Sequence, residues 1–164
     1  MEKLQITLNI NGKDQALLVQ PHDTLLEVLR DELDLTGSKE SCGEGVCGSC
    51  TIQMDGKPVR SCLTLALEAQ GTKIKTVEGL ATGDELSDLQ QSFVDHGAVQ
   101  CGFCTSGMLM SADALLNRTS KPDEKTVRKA LSGNICRCTG YIQIFESVEA
   151  AKELAVENKG GENG

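Results

Sequence analysis

Eight of the 164 residues are cysteine, and they fall into two groups of four: Cys42, Cys47, Cys50 and Cys62, then Cys101, Cys104, Cys136 and Cys138. Each group requires the chain to bring distant residues to one point. No other feature limits the possible folds as strongly. Disulfides would account for eight cysteines in an oxidising compartment. The amino-terminal "MEKLQITLNI" has no apolar signal segment, no twin arginine and no cleavage site, so a cytoplasmic, reducing setting is expected. There, clustered cysteines point to metal or redox chemistry.

The first three cysteines are spaced C-x4-C-x2-C, with a distant fourth, which is the plant-type 2Fe-2S spacing. The intervening sequence places a hairpin between Cys50 and Cys62, turning at Asp55-Gly56. A two-residue turn there sets Cys50 opposite Ser61, one residue from Cys62. Gly43, Gly45 and Gly48 can take positive φ and turn backbone N–H groups toward a dense anion. In the second group, Cys101-x2-Cys104 precedes one predicted helix and Cys136-x-Cys138 another. Two helix amino termini facing an anionic cluster would be favourable. An extended Cys-x-Cys would point both thiols the same way. A four-cysteine zinc site remains the rival, more so for the second group than for the first.

The chain divides near residue 80. Before it, Leu4, Ile6, Leu8 and Ile10 alternate with polar residues as in a half-buried strand. Asn11-Gly12 is a hairpin turn, and residues 14–20 return. Thr24 and Glu27 form a capping box for a helix carrying Leu25, Leu26, Leu29 and Leu33, which Gly37 is expected to end. Residues 72–77 read as a last strand. Beyond residue 80 four helical stripes follow. Leu86, Leu89 and Phe93 form the first, and Met108, Ala112, Leu115 and Leu116 the second. Val127, Ala130 and Leu131 form the third, with Pro122 in its first turn and Gly133 as its stop. Tyr141, Ile144, Phe145, Val148 and Ala151 form the fourth. The expected division is 1–79, 80–156 and a disordered tail, 157–164. With 39% hydrophobic and 2% aromatic residues, each half has a thin core that a metal centre would reinforce.

The series "CGEGVCGSC", Cys62, "GAVQCGFC" and "GNICRCTGY" resembles the iron–sulfur subunit of the molybdenum hydroxylases. That family includes xanthine dehydrogenase, aldehyde oxidoreductase, aerobic-type carbon monoxide dehydrogenase and 4-hydroxybenzoyl-CoA reductase. The match covers residues 3 to about 154, and the paired motifs are far more specific than a lone C-x4-C-x2-C. The resemblance implies an α+β chain, in which a β-grasp, plant-type ferredoxin-like domain precedes a four-helix bundle, each holding one 2Fe-2S cluster. It implies a large partner subunit with a molybdenum–pterin cofactor, and often a FAD subunit. Electrons would pass from molybdenum through the pterin to the Cys101/Cys104/Cys136/Cys138 cluster, then to the Cys42/Cys47/Cys50/Cys62 cluster, and outward. In the reductases the direction reverses. The resemblance also implies pterin contacts at Gln100 and at the sulfur of Cys138. Ser106 departs from the family, which usually has proline there; serine can serve as a cap.

Other residues carry less. His22 and His96 are isolated and read as structural. Arg137 offsets cluster charge or lies on the surface. Phe103 and Tyr141 are expected to shield the cluster motifs as core, and Met108 and Met110 to pack the bundle. No catalytic triad or phosphate loop is present, so the chain reads as a relay whose chemistry belongs to a partner. The net charge of −8 argues against nucleic acid. No apolar run reaches the roughly 20 residues that span a membrane. The competing classes are a freestanding two-cluster carrier or redox sensor, and a zinc-stapled interaction module.

Overall fold

The computed structural model describes residues 2–160, with side chains through Lys152. Strand β1, Leu4–Ile10, pairs with β2, Lys13–Val19. Asn11 and Gly12 both take positive φ, 50° and 79°, the geometry of the tight turn that matches strand twist. The β1 alternation holds for Ile6, Leu8 and Ile10, which are buried, but Leu4 is exposed. The capping box forms as expected: Thr24 Oγ1 accepts from the Glu27 N–H, and the Glu27 carboxylate accepts from the Thr24 N–H. The helix it starts is irregular. Three α-helical residues, Leu25–Glu27 (α1), run into a π-helical stretch, Val28–Glu32. Gly37 does not end it. Asp34 does, at φ 55°, and the Leu35 N–H closes onto the Leu29 carbonyl.

Strands β3, Thr51–Met54, and β4, Lys57–Arg60, form the second hairpin around Asp55 and Gly56, again both at positive φ. Strand β5, Lys73–Lys75, completes a five-stranded sheet of order β2-β1-β5-β3-β4. It runs parallel to β1 and antiparallel to β3. Leu25, Val28 and Leu29 pack with Ile6, Leu8, Ile10, Ile52 and Ile74 into one core. This mixed α/β arrangement places Cys50 and Cys62 together at the open end of the β3–β4 hairpin, before its first strand and after its second.

The remaining helices are α2, Asp88–Asp95; α3, Thr105–Arg118; α4, Glu124–Leu131; and α5, Ile142–Gly160. Helix α2 packs on α3 and α5, and α4 on α3 and α5. Phe93, Met108, Met110, Leu131, Ile144 and Val148 lie at the centre of their common core, and Val77 and Leu80 reach into it from the connecting segment. Three expectations need correction. Leu86 does not belong to the buried stripe of α2: the Ser87–Gln90 capping box starts the helix at Asp88, so Leu86 precedes the cap and is exposed. Pro122 lies outside α4, just before its cap, Asp123. Gly133 does not stop α4 through positive φ; it lies against Arg60. Helix α5 overlaps the start of the expected tail, and residues 161–164 lie outside the described ones. Among the described residues no helix is long and apolar enough to cross a membrane.

Candidate metal centres

The Cys42–Cys50 loop is shaped to present backbone donors to sulfur. Gly43, Gly45 and Gly48 adopt φ of 65°, 74° and 76°. The N–H groups of Cys47 and Glu44 reach Cys42 Sγ at 3.5 and 3.4 Å. They hold the Cys42 thiol down to about 6. The hairpin brings Ser61 opposite Cys50, whose carbonyl accepts from both the Ser61 N–H and its hydroxyl. Cys62 Sγ thereby comes within 3.3 Å of Cys50 Sγ. Burial, with Cys50 beside it, pushes the Cys62 thiol up to about 11.

The second group converges from two loops. Cys104 is the N-cap of α3, and Cys138 lies beside Cys101, 3.5 Å between sulfurs. Cys104 faces Cys136; burial and that neighbour push Cys104 up to about 12. Burial also opposes the Cys136 thiolate, but the Thr139 hydroxyl, 3.2 Å from its sulfur, and nearby N–H groups outweigh it and lower its pKa. The Phe103 N–H does the same for Cys101. The chain bends at 137–139 instead of running extended, so Cys136 is buried while Cys138 is exposed. Only α3 begins at a cysteine. Before α5, Gly140 and Tyr141 at positive φ turn the chain, and the Tyr141 hydroxyl accepts from the Cys136 N–H at 3.0 Å.

Among the described residues, no three such side chains close around a single ion position. Instead the thiols stand as two pairs in each group, Cys42 with Cys47 and Cys50 with Cys62, then Cys101 with Cys138 and Cys104 with Cys136. Two thiolates on each of two irons is what a 2Fe-2S cluster asks of a protein. The inward N–H donors suit the negative charge left when the thiols lose their protons. The donor set therefore fits such a cluster in both places.

The two cysteine loops meet along a polar seam absent from the sequence reading. The Ile135 N–H donates to the Cys47 carbonyl at 2.9 Å. Asn134, 3% exposed, donates from Nδ2 to the Gly48 carbonyl and to Thr51 Oγ1, and accepts from Ser111 through Oδ1. Arg60 donates to the carbonyls of Gly45 and Gly133 and to Thr51 Oγ1. Gly107 was the available signal, since glycine inside a helix costs about 1 kcal/mol and needs a packing reason. A methyl added there would sit 2.2 Å from the Gly48 carbonyl oxygen. Farther along the same face of β3, Gln53 reaches the Met110 carbonyl and Asp113 on α3, and Lys75 pairs with Asp113 at 3.0 Å.

Gln100 is exposed beside Cys101, and Arg137 is exposed between Cys136 and Cys138. Phe103 is not core but 44% exposed. Ser106 does not cap α3; it lies in the first turn, buried, with no partner for its hydroxyl among the described residues. Met108 and Met110 are fully buried. His96 bonds the Ser92 carbonyl of its own helix.

Comparison with known proteins supplies two family matches that divide the chain as the cysteines do. Residues 8–81 match the family described as "2Fe-2S iron-sulfur cluster binding domain", and residues 76–149 the one described as "[2Fe-2S] binding domain". The chain is 46% identical to the nicotinate dehydrogenase small FeS subunit of Eubacterium barkeri, over 93% of this chain and 98% of that protein. It is 50% identical to the nicotine 6-hydroxylase small subunit of Paenarthrobacter nicotinovorans, over 90% of this chain and 88% of that one. Among solved structures, a chain of quinoline 2-oxidoreductase from Pseudomonas putida 86 superposes with a TM-score of 0.91 at 48% identity, covering 96% of this chain and 98% of that chain. Aldehyde oxidoreductase from Desulfovibrio desulfuricans gives 0.90 at 42% identity, with 96% of this chain matching 17% of that longer one.

Proposed function

This chain belongs to the small iron–sulfur subunits of the molybdenum hydroxylase family, and from that premise we propose how its residues divide the work. The chain carries two 2Fe-2S clusters and serves as the electron-transfer, non-catalytic subunit of an oxidoreductase. In our reading, Cys42, Cys47, Cys50 and Cys62 hold one cluster and Cys101, Cys104, Cys136 and Cys138 the other. Each cluster, when bound, supplies one-electron redox chemistry. The residues contribute thiolates, backbone donors and exclusion of water. The fold is read in the same terms, as a β-grasp unit over 1–79 and a four-helix bundle over 80–156. Cytoplasmic residence follows from eight thiols kept for metal.

One observation carries the assignment of partners. The exposed pair Cys101 and Cys138 is flanked in sequence by exposed apolar side chains, Val99, Phe103, Ile135 and Ile142. Such a surface is a docking face, and here it meets the large molybdenum subunit. Gln100 and the sulfur of Cys138 lie at that face and contact the pterin. A second group, Val46, Leu63 and Leu65, lies beside Cys47 and Cys62 and faces the FAD subunit or another acceptor. The subunit names of the relatives favour this assembled role over a freestanding carrier.

The test is purification of the native assembly. About four irons and four sulfides per chain are expected, with a molybdenum-containing large chain co-eluting. Gln100→Ala should leave iron unchanged and weaken pterin retention. Stoichiometric zinc without visible absorption would refute the cluster assignment. A chain that elutes alone with full iron would refute the partner assignment.

A further inference from the structure

Arg60 and Asn134 bond to both cysteine loops, and among the described residues neither side chain hydrogen-bonds to a thiol. Arg60 lies on β4, yet its guanidinium spans from the Gly45 carbonyl, inside the first loop, to the Gly133 carbonyl, at the entrance to the second. Asn134 precedes Ile135 and Cys136, yet its amide is spent on Gly48 of the first loop, on Thr51 at the start of β3 and on Ser111 of α3. Both residues share Thr51 Oγ1, which itself donates to the Gly48 carbonyl at 2.6 Å. The seam has no soft filler. Methyls added at Gly107 or Gly48 would lie 2.2 and 2.4 Å from the backbone oxygens of Gly48 and Gly133. Backbone therefore meets backbone along this seam, and hydrogen bonds fix its register.

We infer that Arg60 and Asn134 are positioning residues for electron exchange between the two clusters. They hold the Cys47 carbonyl on the Ile135 N–H, one residue from Cys136, and so keep the sites at one separation and one relative orientation. The exchanged species is one electron, which leaves the reduced site and enters the oxidised one. No bond or proton moves with it. Its rate falls steeply with separation, so a register that is fixed and fully hydrogen-bonded matters more here than at an ordinary domain junction. The inference rests on the two-cluster assignment of the eight cysteines.

Asn134→Asp keeps the shape and the Ser111 acceptor but removes both Nδ2 donations. Arg60→Lys keeps the charge but loses the three-way fork. Both variants are prepared in the assembled complex, and iron is measured first; about four irons in the unaltered chain and two distinct paramagnetic signals establish that both sites are loaded. The magnetic splitting between the two reduced clusters is then recorded by EPR, since it depends on their distance and orientation. Exchange after rapid partial reduction is followed by freeze-quench. Both variants should retain iron, show a changed splitting and slow exchange by roughly 10-fold, the scale of outer-shell metal-site substitutions. A merely structural role would lower melting temperature or iron content and leave the splitting intact in the loaded fraction. Unaltered splitting and exchange in loaded Arg60→Lys would overturn the inference, and that half-buried side chain decides the matter if Asn134→Asp does not fold. Two irons in the unaltered chain would instead refute the cluster assignment.

Discussion

The backbone N–H of Ile135 donates to the carbonyl of Cys47 at 2.9 Å, a backbone-to-backbone bond between the two cysteine loops across 88 positions of sequence (135 − 47). The Ile135 side chain is 42% exposed. The bond, not the side chain, should therefore carry its structural value. Ile135→Pro removes the donor and should destabilise the folded chain by about 1–3 kcal/mol in urea unfolding. Ile135→Ala should cost less than about 1 kcal/mol. Equal losses from the two would show that the bond contributes nothing.

Gly107→Ala reverses the usual helix rule. On an exposed helical surface, alanine for glycine gains up to about 1 kcal/mol. In α3 the new methyl would meet the Gly48 carbonyl oxygen at 2.2 Å, and a backbone atom cannot swing aside. A loss of about 1–3 kcal/mol is expected, read as a lower melting temperature. A rise in melting temperature would contradict the close approach of α3 to the first loop.

Cys42→Ser and Cys136→Ser should behave as separable lesions, because the two thiol groups share no sulfur. Each variant is expected to lose about half of the iron and one of two EPR signals. Loss of both signals from either substitution would show that one site cannot form without the other.

Asp123 gives a pH dependence outside the metal centres. Its carboxylate caps α4, accepting from the Thr126 N–H at 2.8 Å, and the Thr126 hydroxyl and N–H lower its pKa. A lowered folded pKa means that its stabilisation is complete above the unfolded carboxylate value of about 4 and fades as pH falls through the folded value. An asparagine in its place would still cap but would not titrate. The stability difference between the native chain and Asp123→Asn should accordingly shrink on going from pH 6 to about pH 3. A difference that does not vary with pH would remove Asp123 from the acid response.

The features legible in the linear sequence are those decided within a few residues. Asn11-Gly12 and Asp55-Gly56 turn as hairpins because both central residues of each turn must take positive φ, and these residue types tolerate it. Thr24 with Glu27 starts a helix because the two caps are three residues apart. The C-x4-C-x2-C spacing and the hairpin arithmetic place Cys62 beside Cys50 for the same local reason.

Tertiary packing alone decided the rest. Gly37 looked like a helix stop, yet Asp34 took that conformation and the helix ran out as a π turn; Gly37 instead offers its N–H to Glu78. Gly133 looked like a second stop, and is small because Arg60 lies against it. Nothing within a few residues of Gln53 or Asn134 marks either as a buried, hydrogen-bonded amide. Their partners, Asp113 and Gly48, lie 60 and 86 positions away. Periodicity and turn chemistry act over a few residues, whereas a buried amide is satisfied by whatever the folded chain brings to it. The cysteines thus announced two metal centres in the sequence, and the seam that sets one against the other exists only once sheet and helices have packed together.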